Sequence, residues 1–225
     1  MASRTVENYL KQIYVEQQKA KGGLVPTGRL ASALEVTPGS VTAMIKVLAD
    51  SGLAEYERRS GTQLTDRGRL LALHVLRRHR LVEQFLVSVL KLDWSEVHEE
   101  AEELEHAISD KVLEKIDRFL GYPAVDPHGD PIPSAKGQFS ANPSLESLTS
   151  CELSRPLRLV RVLDQDARFL QFAHQQGLLP GICVVVEHRD PVADAVTVVL
   201  PNKSTMTLGT AAAAKILVEP GPAEG

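Results

Sequence analysis

Apolar side chains recur at helical spacing through the first third of the chain. Val6, Leu10, Ile13 and Tyr14, with Gln17 next on the same face, predict a helix over residues 3–20 that stops at Gly22-Gly23. A second, short helix is predicted after Thr27, with Leu30, Ala31 and Leu34 turned inward. Thr37 followed by Pro38 is an N-cap with proline at the first helical position, so a third helix starts there, runs to Asp50 and ends with Gly52 at C′. Its inward face is Val41, Ile45 and Leu48. In LAEYERRSGTQLT, residues 53–65, two strand-like runs flank Arg59-Ser60-Gly61 and predict a hairpin. Three helices and then a hairpin, with a short link between the second and third helices, is the pattern of a winged helix-turn-helix.

The helical period resumes at Thr65, which caps a long helix, DRGRLLALHVLRRHRLVEQFLVSVL. Asp93 with Glu96 has the form of a capping box for a helix over roughly residues 94–107. Ser109 caps another that ends at Gly121. Residues 122–150 are loop-like, and AKGQFSANPSLES predicts a mobile linker. After the linker the runs PLRLVRV, ICVVVEH, AVTVVL and KILVEP are β-rich and separated by Pro/Gly turns, with one helix at about 166–176. They suggest a small barrel. The expected class is mainly α with β: a winged helix-turn-helix over 1–73, a helical domain over 74–135, a linker over 136–150 and a β domain over 151–219.

The 225 residues suit two or three small domains, and 43% hydrophobic with 24% charged residues excludes a collagen-like or wholly disordered chain. No apolar run approaches the ~18 residues of a membrane span, and MASRTVENYLKQ has no signal-peptide pattern. Two distant cysteines, Cys151 and Cys183, fit a reducing cytoplasm rather than a disulfide scaffold. The net charge of −4 conceals a segregation: 13 Lys and Arg against 7 Asp and Glu in residues 1–80, then 4 against 11 in residues 81–120. That split suggests a polyanionic partner in front and cations behind, although solvated helix faces can differ by as much.

His98, Glu102, Glu105 and His106, at i, i+4, i+7 and i+8, share one face of the helix expected over 94–107. His79 and Glu83 repeat the i, i+4 spacing on the preceding helix. Two antiparallel helices could present six oxygen and nitrogen ligands without a thiolate, a set suited to Mn²⁺, Fe²⁺ or Zn²⁺. The alternative is a solvated Glu/His face, since Glu99, Glu100 and Glu103 lie on the same helix. Enzyme templates fit badly: the second histidine of a zincin would fall on Glu102, only one Glu-x-x-His occurs, and there is no nucleophile elbow or Walker loop. On the third helix Thr37, Gly39, Ser40, Thr42 and Lys46 fall on the exposed side, where small hydroxyls and one base suit groove entry, with Arg58 and Arg59 of the hairpin beside it. A helix-turn-helix used only for packing is the alternative.

The stretches VENYLKQIY (6–14), EVTPGSVTAMIKVLADSGL (35–53), LTDRGRLLALHVLRRHRLVEQFL (64–86), VHEEAEELEHAISDKV (97–112) and DPHGDPIP (126–133) together resemble the diphtheria-toxin-repressor family of metal-dependent transcriptional regulators. That family includes manganese-transport regulators, and the β-rich tail resembles the SH3-like domain of its longer members. The resemblance implies a homodimer with a divalent metal as co-repressor, bound to a palindromic double-stranded DNA operator, with no catalysis and no small organic substrate. It implies a primary site of Asn8, Glu102, Glu105 and His106 and an ancillary site of His79, Glu83 and His98. Some manganese-type members instead place a second metal with Glu83, the residues around Asp126 and His128, and a tail carboxylate, for which Asp164 is the candidate.

Iron-type members usually carry cysteine at position 102 and methionine in the first helix. Glu102 and Asn8 remove both sulfurs, which shifts the expected metal toward Mn²⁺, with Fe²⁺, Co²⁺ and Zn²⁺ as alternatives. Asn8 stands where manganese-type members usually have Asp, and Lys11 argues against a carboxylate-bridged metal pair involving the first helix. Leu81, Phe85, Val89, Leu104, Ile108, Val112, Ile116 and Phe119 supply apolar surface that fits an intramolecular core equally well; the resemblance favours a two-fold dimer. The expected function is a cytoplasmic, manganese-responsive repressor of metal-homeostasis genes. An iron-responsive relative, a metal-independent helix-turn-helix regulator and a metalloenzyme are the rivals.

Overall fold

A computed structural model describes residues 3–20, 23–139 and 144–222. The stop expected at Gly22, and residues 140–143 of the expected linker, lie outside the described residues. The chain forms two compact units. One comprises Met1–His79, Leu104–Ser109 and Pro133–Gln138; the other comprises Arg80–Glu103, Asp110–Ile132 and Phe139–Gly225.

In the first unit, α1 (Arg4–Lys19) starts under Ser3, whose hydroxyl accepts the Val6 N–H. It is followed by α2 (Thr27–Ala33) and α3 (Pro38–Asp50). The Thr37 hydroxyl accepts the Ser40 N–H at 3.2 Å, and Gly52 takes φ +67° just past the helix, so both predicted ends of α3 form. Val41, Ile45 and Leu48 are buried, as are Leu10 and Ile13 of α1 and Leu30 of α2. The hairpin is β1 (Ala54–Glu57) and β2 (Gly61–Leu64), paired antiparallel, with Val25 bridging to Thr62.

The long helix α4 (Asp66–Ser88) begins at Thr65, whose hydroxyl accepts the Gly68 N–H at 3.1 Å. Its Asp66–His79 part belongs to this unit, where Arg77 donates to the Pro133 carbonyl at 2.6 Å. Gly68 is required by packing: a Cβ there would lie 1.9 Å from the Leu53 carbonyl oxygen. Gly68→Ala is therefore expected to lower stability by about 2 kcal/mol through overpacking, measurable as a lower urea midpoint.

The second unit holds the rest of α4, most of α5 (Val97–Leu104), α6 (Asp110–Phe119) and a six-stranded antiparallel sheet. Helix α5 is shorter at both ends than the spacing predicted. Asp93 does not form the expected capping box. Its carboxylate accepts the Ser95 N–H and hydroxyl at 2.8 and 2.6 Å, while the Glu96 N–H goes to the Asp93 carbonyl. This local turn spends the cap two residues too early, and the helix starts only at Val97. Glu105 and His106 follow its last turn, so the one-face argument applies to His98 and Glu102 alone.

The sheet order is β3-β8-β4-β5-β6-β7, with β3 (Glu146–Ser147), β4 (Pro156–Val162), β5 (Cys183–Asp190), β6 (Ala195–Val199), β7 (Thr205–Gly209) and β8 (Ile216–Pro220). Four of these are the expected runs. The short β3 and β7, and α8 (Thr210–Ala213), were not anticipated. β7 carries only Met206 and Leu208 as apolar signal, and pairing with β6 defines it. α7 (Ala167–Gln175) forms where expected, capped by Asp166. The core of the β domain includes Leu148, Leu159, Leu170, Val186, Val198 and Ile216, joined by Trp94 from the turn before α5. Among the described residues no helix is long and apolar enough to cross a membrane.

Candidate functional site

In the first unit, three nitrogen-bearing side chains converge on the fully buried carboxylate of Glu105. Lys11 Nζ of α1 lies 2.8 and 3.0 Å from its two oxygens. His79 Nδ1 of α4 is 2.7 Å from Oε2, and His106 Nε2 is 3.2 Å from Oε1. His106 Nδ1 meets Glu7 Oε2 at 2.7 Å, and the other Glu7 oxygen lies 3.4 Å from Arg78. Burial would push the Glu105 carboxyl up; the hydrogen bond from His79 and the Lys11 charge outweigh it and hold the group below the usual carboxylate range. Asn8 Oδ1 is buried and has no hydrogen-bond partner among the described residues.

Glu7 was not among the expected site residues. Its signal was the i, i+4 pairing with Lys11 on one side of α1, which sets a carboxylate and an ammonium toward the 104–109 segment.

The second unit holds a second cluster. Glu83 of α4 is fully buried, with His98 Nδ1 3.2 Å from its Oε1, and His98 Nε2 is 3.6 Å from Glu102. Glu83, Asp126 and His128, all buried, each offer an oxygen or nitrogen within 4.8 Å of the others.

The 126–130 loop explains why His128 points inward. One Asp126 oxygen accepts the N–H groups of both His128 and Asp130, at 2.8 and 2.9 Å. Gly129 takes φ +85° so closely against β4 that a Cβ would lie 1.9 Å from the Val160 carbonyl oxygen. His128 Nε2 bonds the Trp94 carbonyl at 2.8 Å, so the hydrogen resides on Nε2 and Nδ1 presents its lone pair. That Nδ1 is buried without a hydrogen-bond partner among the described residues.

Burial, and then the charges of Asp130 and Glu83, push the Asp126 carboxyl well above the usual range against the opposing charge of Arg80. Arg161 of β4 pairs with Asp130. Asp164 pairs with Lys215 and accepts the Asp166 N–H, so the structure does not bring it to this cluster.

On α3, Thr37, Gly39, Ser40 and Lys46 are exposed and Thr42 is half-buried, its hydroxyl donating back to the Pro38 carbonyl at 2.9 Å. Arg58 and Arg59 are exposed at the hairpin turn. The inward face of α3 is fully committed to the core, which leaves its outer face available to a polyanion.

Three family models match consecutive stretches. They are the iron dependent repressor N-terminal DNA binding domain over residues 1–62, the iron dependent repressor metal binding and dimerisation domain over 65–134, and the FeoA domain over 146–220. The chain is 30% identical to the iron-dependent repressor IdeR of Mycobacterium leprae over 96% of both chains. The chain belongs to the diphtheria-toxin-repressor family.

Among solved structures, a manganese-dependent transcriptional repressor in complex with manganese is 36% identical, with a TM-score of 0.86 over 96% of this chain and 99% of that one. The manganese regulator SloR is 32% identical, with a TM-score of 0.76 over 96% and 98%. The family fold is a winged helix-turn-helix domain, a helical dimerisation domain and a C-terminal SH3-like FeoA domain. As a family member the chain is a metal-dependent, DNA-binding transcriptional repressor and not an enzyme.

The residues present fit a divalent cation. The buried lone pair of His128 Nδ1 faces two carboxylates, and the buried Asn8 oxygen has no hydrogen-bond donor among the described residues. Without a cation, crowded buried carboxylates are costly.

Proposed function

We propose that this repressor responds to manganese, controls metal-homeostasis genes, and acts as a homodimer on a palindromic operator. The observation that carries the choice of metal is the donor set. The side chains of both clusters offer only oxygen and nitrogen, and both cysteines, Cys151 and Cys183, belong to the β domain. Carboxylate, amide and imidazole donors suit Mn²⁺, whereas thiolate would favour softer metals.

The proposed primary ligands are Asn8, Glu102, Glu105 and His106, with His79 and Glu7 orienting Glu105 and His106 through their hydrogen bonds. The second set is Glu83, His98, Asp126 and His128, with the Trp94 carbonyl fixing the His128 tautomer. A bound divalent cation supplies the positive charge that offsets these carboxylates. Asn8 lies on α1 of the DNA-reading domain, so its participation ties that domain to the dimerisation domain. A dimer must present two α3 helices at the ~34 Å repeat of half-sites. The tie shifts the population toward that arrangement only by its differential affinity for it. The outer face of α3 and the Arg58-Arg59 turn then supply base and phosphate contacts.

The test is operator binding titrated with Mn²⁺, Fe²⁺, Co²⁺ and Zn²⁺ at buffered free concentrations. Mn²⁺ is expected to tighten binding by about a hundredfold over chelator-treated protein. Equal affinity in chelator would overturn metal control. Activation by Fe²⁺ at lower buffered concentration than the cell maintains for Mn²⁺ would favour iron response, the reading supported by 30% identity to IdeR.

A further inference from the structure

We infer that Lys11 is a built-in counter-cation that competes with divalent metal for Glu105 and so raises the concentration at which the primary set fills. The inference rests on the ligand reading above.

Both oxygens of Glu105 lie within hydrogen-bonding distance of one ammonium, and both residues are buried, Lys11 to 8% exposure and Glu105 to 0%. Glu105 and Glu7 are partnered by Lys11 and Arg78, with His79 and His106 as hydrogen-bonding imidazoles. A dication that approaches Glu105 meets an ammonium already bonded to both carboxylate oxygens, so it gains less there than it would beside a bare carboxylate. Either the ammonium withdraws from Glu105 or the metal accepts a positive charge in its immediate surroundings. Both routes weaken capture.

The second cluster is held by guanidinium groups instead: Arg80 lies 3.5 Å from Asp126 and 3.6 Å from Asp130, and Arg161 pairs with Asp130. A lysine that only fastens α1 to the 104–109 segment would have the opposite signature, because its removal would loosen the ligands and weaken metal binding.

The experiment is Mn²⁺ binding to chelator-treated full-length protein, followed by the EPR signal of free Mn²⁺. The primary class is defined as the uptake lost in Glu105→Gln and Glu102→Gln. Lys11→Gln and Lys11→Met are expected to tighten that class by about tenfold to a hundredfold, the size of effect a neighbouring charge exerts on a proton site. Lys11→Arg, which keeps the charge, is expected to hold the wild-type affinity. Circular dichroism establishes that each variant is folded. Unchanged or weaker binding in the neutral variants overturns the inference, as does tightening in Lys11→Arg, which remains decisive should neither neutral variant fold. Absence of any uptake sensitive to Glu105 and Glu102 would instead overturn the ligand reading, and the inference with it.

Discussion

Replacing Glu105 by glutamine is expected to reduce Mn²⁺-activated operator binding by about a hundredfold or more, and to cost the metal-free protein about 3 kcal/mol. The two losses have one origin. The carboxylate is fully buried, accepts from Lys11 and His79, and stands 3.2 Å from His106. Glutamine keeps the shape but withdraws the charge, leaving Lys11 and His79 facing an amide that can also donate. Breaking one side of a buried pair is expensive because the remaining charge stays desolvated.

Glu102→Gln separates stability from ligation. The Glu102 side chain is 28% exposed and lies 3.6 Å from His98, so the charge it loses is partly solvated, and its replacement is expected to cost under about 1 kcal/mol while still removing metal activation. Gel shifts at buffered Mn²⁺, with thermal melts of the metal-free proteins, check both. Wild-type activation in Glu105→Gln would remove it from the ligand set. Lost activation with unimpaired Mn²⁺ uptake would make its role purely structural.

The first three helices and the hairpin were legible because local chemistry decides them. Thr37 and Pro38 start α3, Gly52 ends it, and Val41, Ile45 and Leu48 repeat at 3.6. Tertiary context decided the next stretch. Asp93 and Glu96 have capping-box spacing, but Asp93 bonds to Ser95 and Trp94 is drawn into the core of the β domain, so α5 starts late. The i, i+7 and i+8 positions then leave the helix, and Glu105 and His106 are held by α1 and α4 instead of by periodicity.

The roles of Glu7 and Lys11 depend on contacts about a hundred residues away, which no local pattern encodes. Asp164 illustrates the converse. An acidic residue in the right part of the tail is engaged by Lys215, a cation that becomes its neighbour only when β8 is in place. The loop DPHGDPIP was recognisable as a motif, yet its geometry is set by Gly129 pressing on β4 and by the Arg161–Asp130 pair.

The chain has a single tryptophan, and its position makes the second cluster directly observable. The Trp94 ring centroid lies 5.2 Å from that of His128, and its carbonyl accepts the His128 Nε2–H. Saturable quenching of Trp94 emission is therefore expected as paramagnetic Mn²⁺ is added to chelator-treated protein, with diamagnetic Zn²⁺ quenching far less. His128→Ala is expected to weaken the quenching titration by about a hundredfold, since it removes a ligand and the group that links the cluster to the indole. Asp164→Ala is expected to leave the titration unchanged, because that carboxylate is spent on Lys215 and the Asp166 N–H. Should Asp164→Ala instead weaken it as much as His128→Ala does, the tail carboxylate must exchange Lys215 for the metal, and the β domain would supply a ligand. If Mn²⁺ leaves the emission of the wild-type protein untouched at concentrations that activate DNA binding, Glu83, Asp126 and His128 are not a metal centre. The crowding of their buried carboxylates would then be met by protonation, for which Asp126 is already disposed by its burial and by the charges of Asp130 and Glu83.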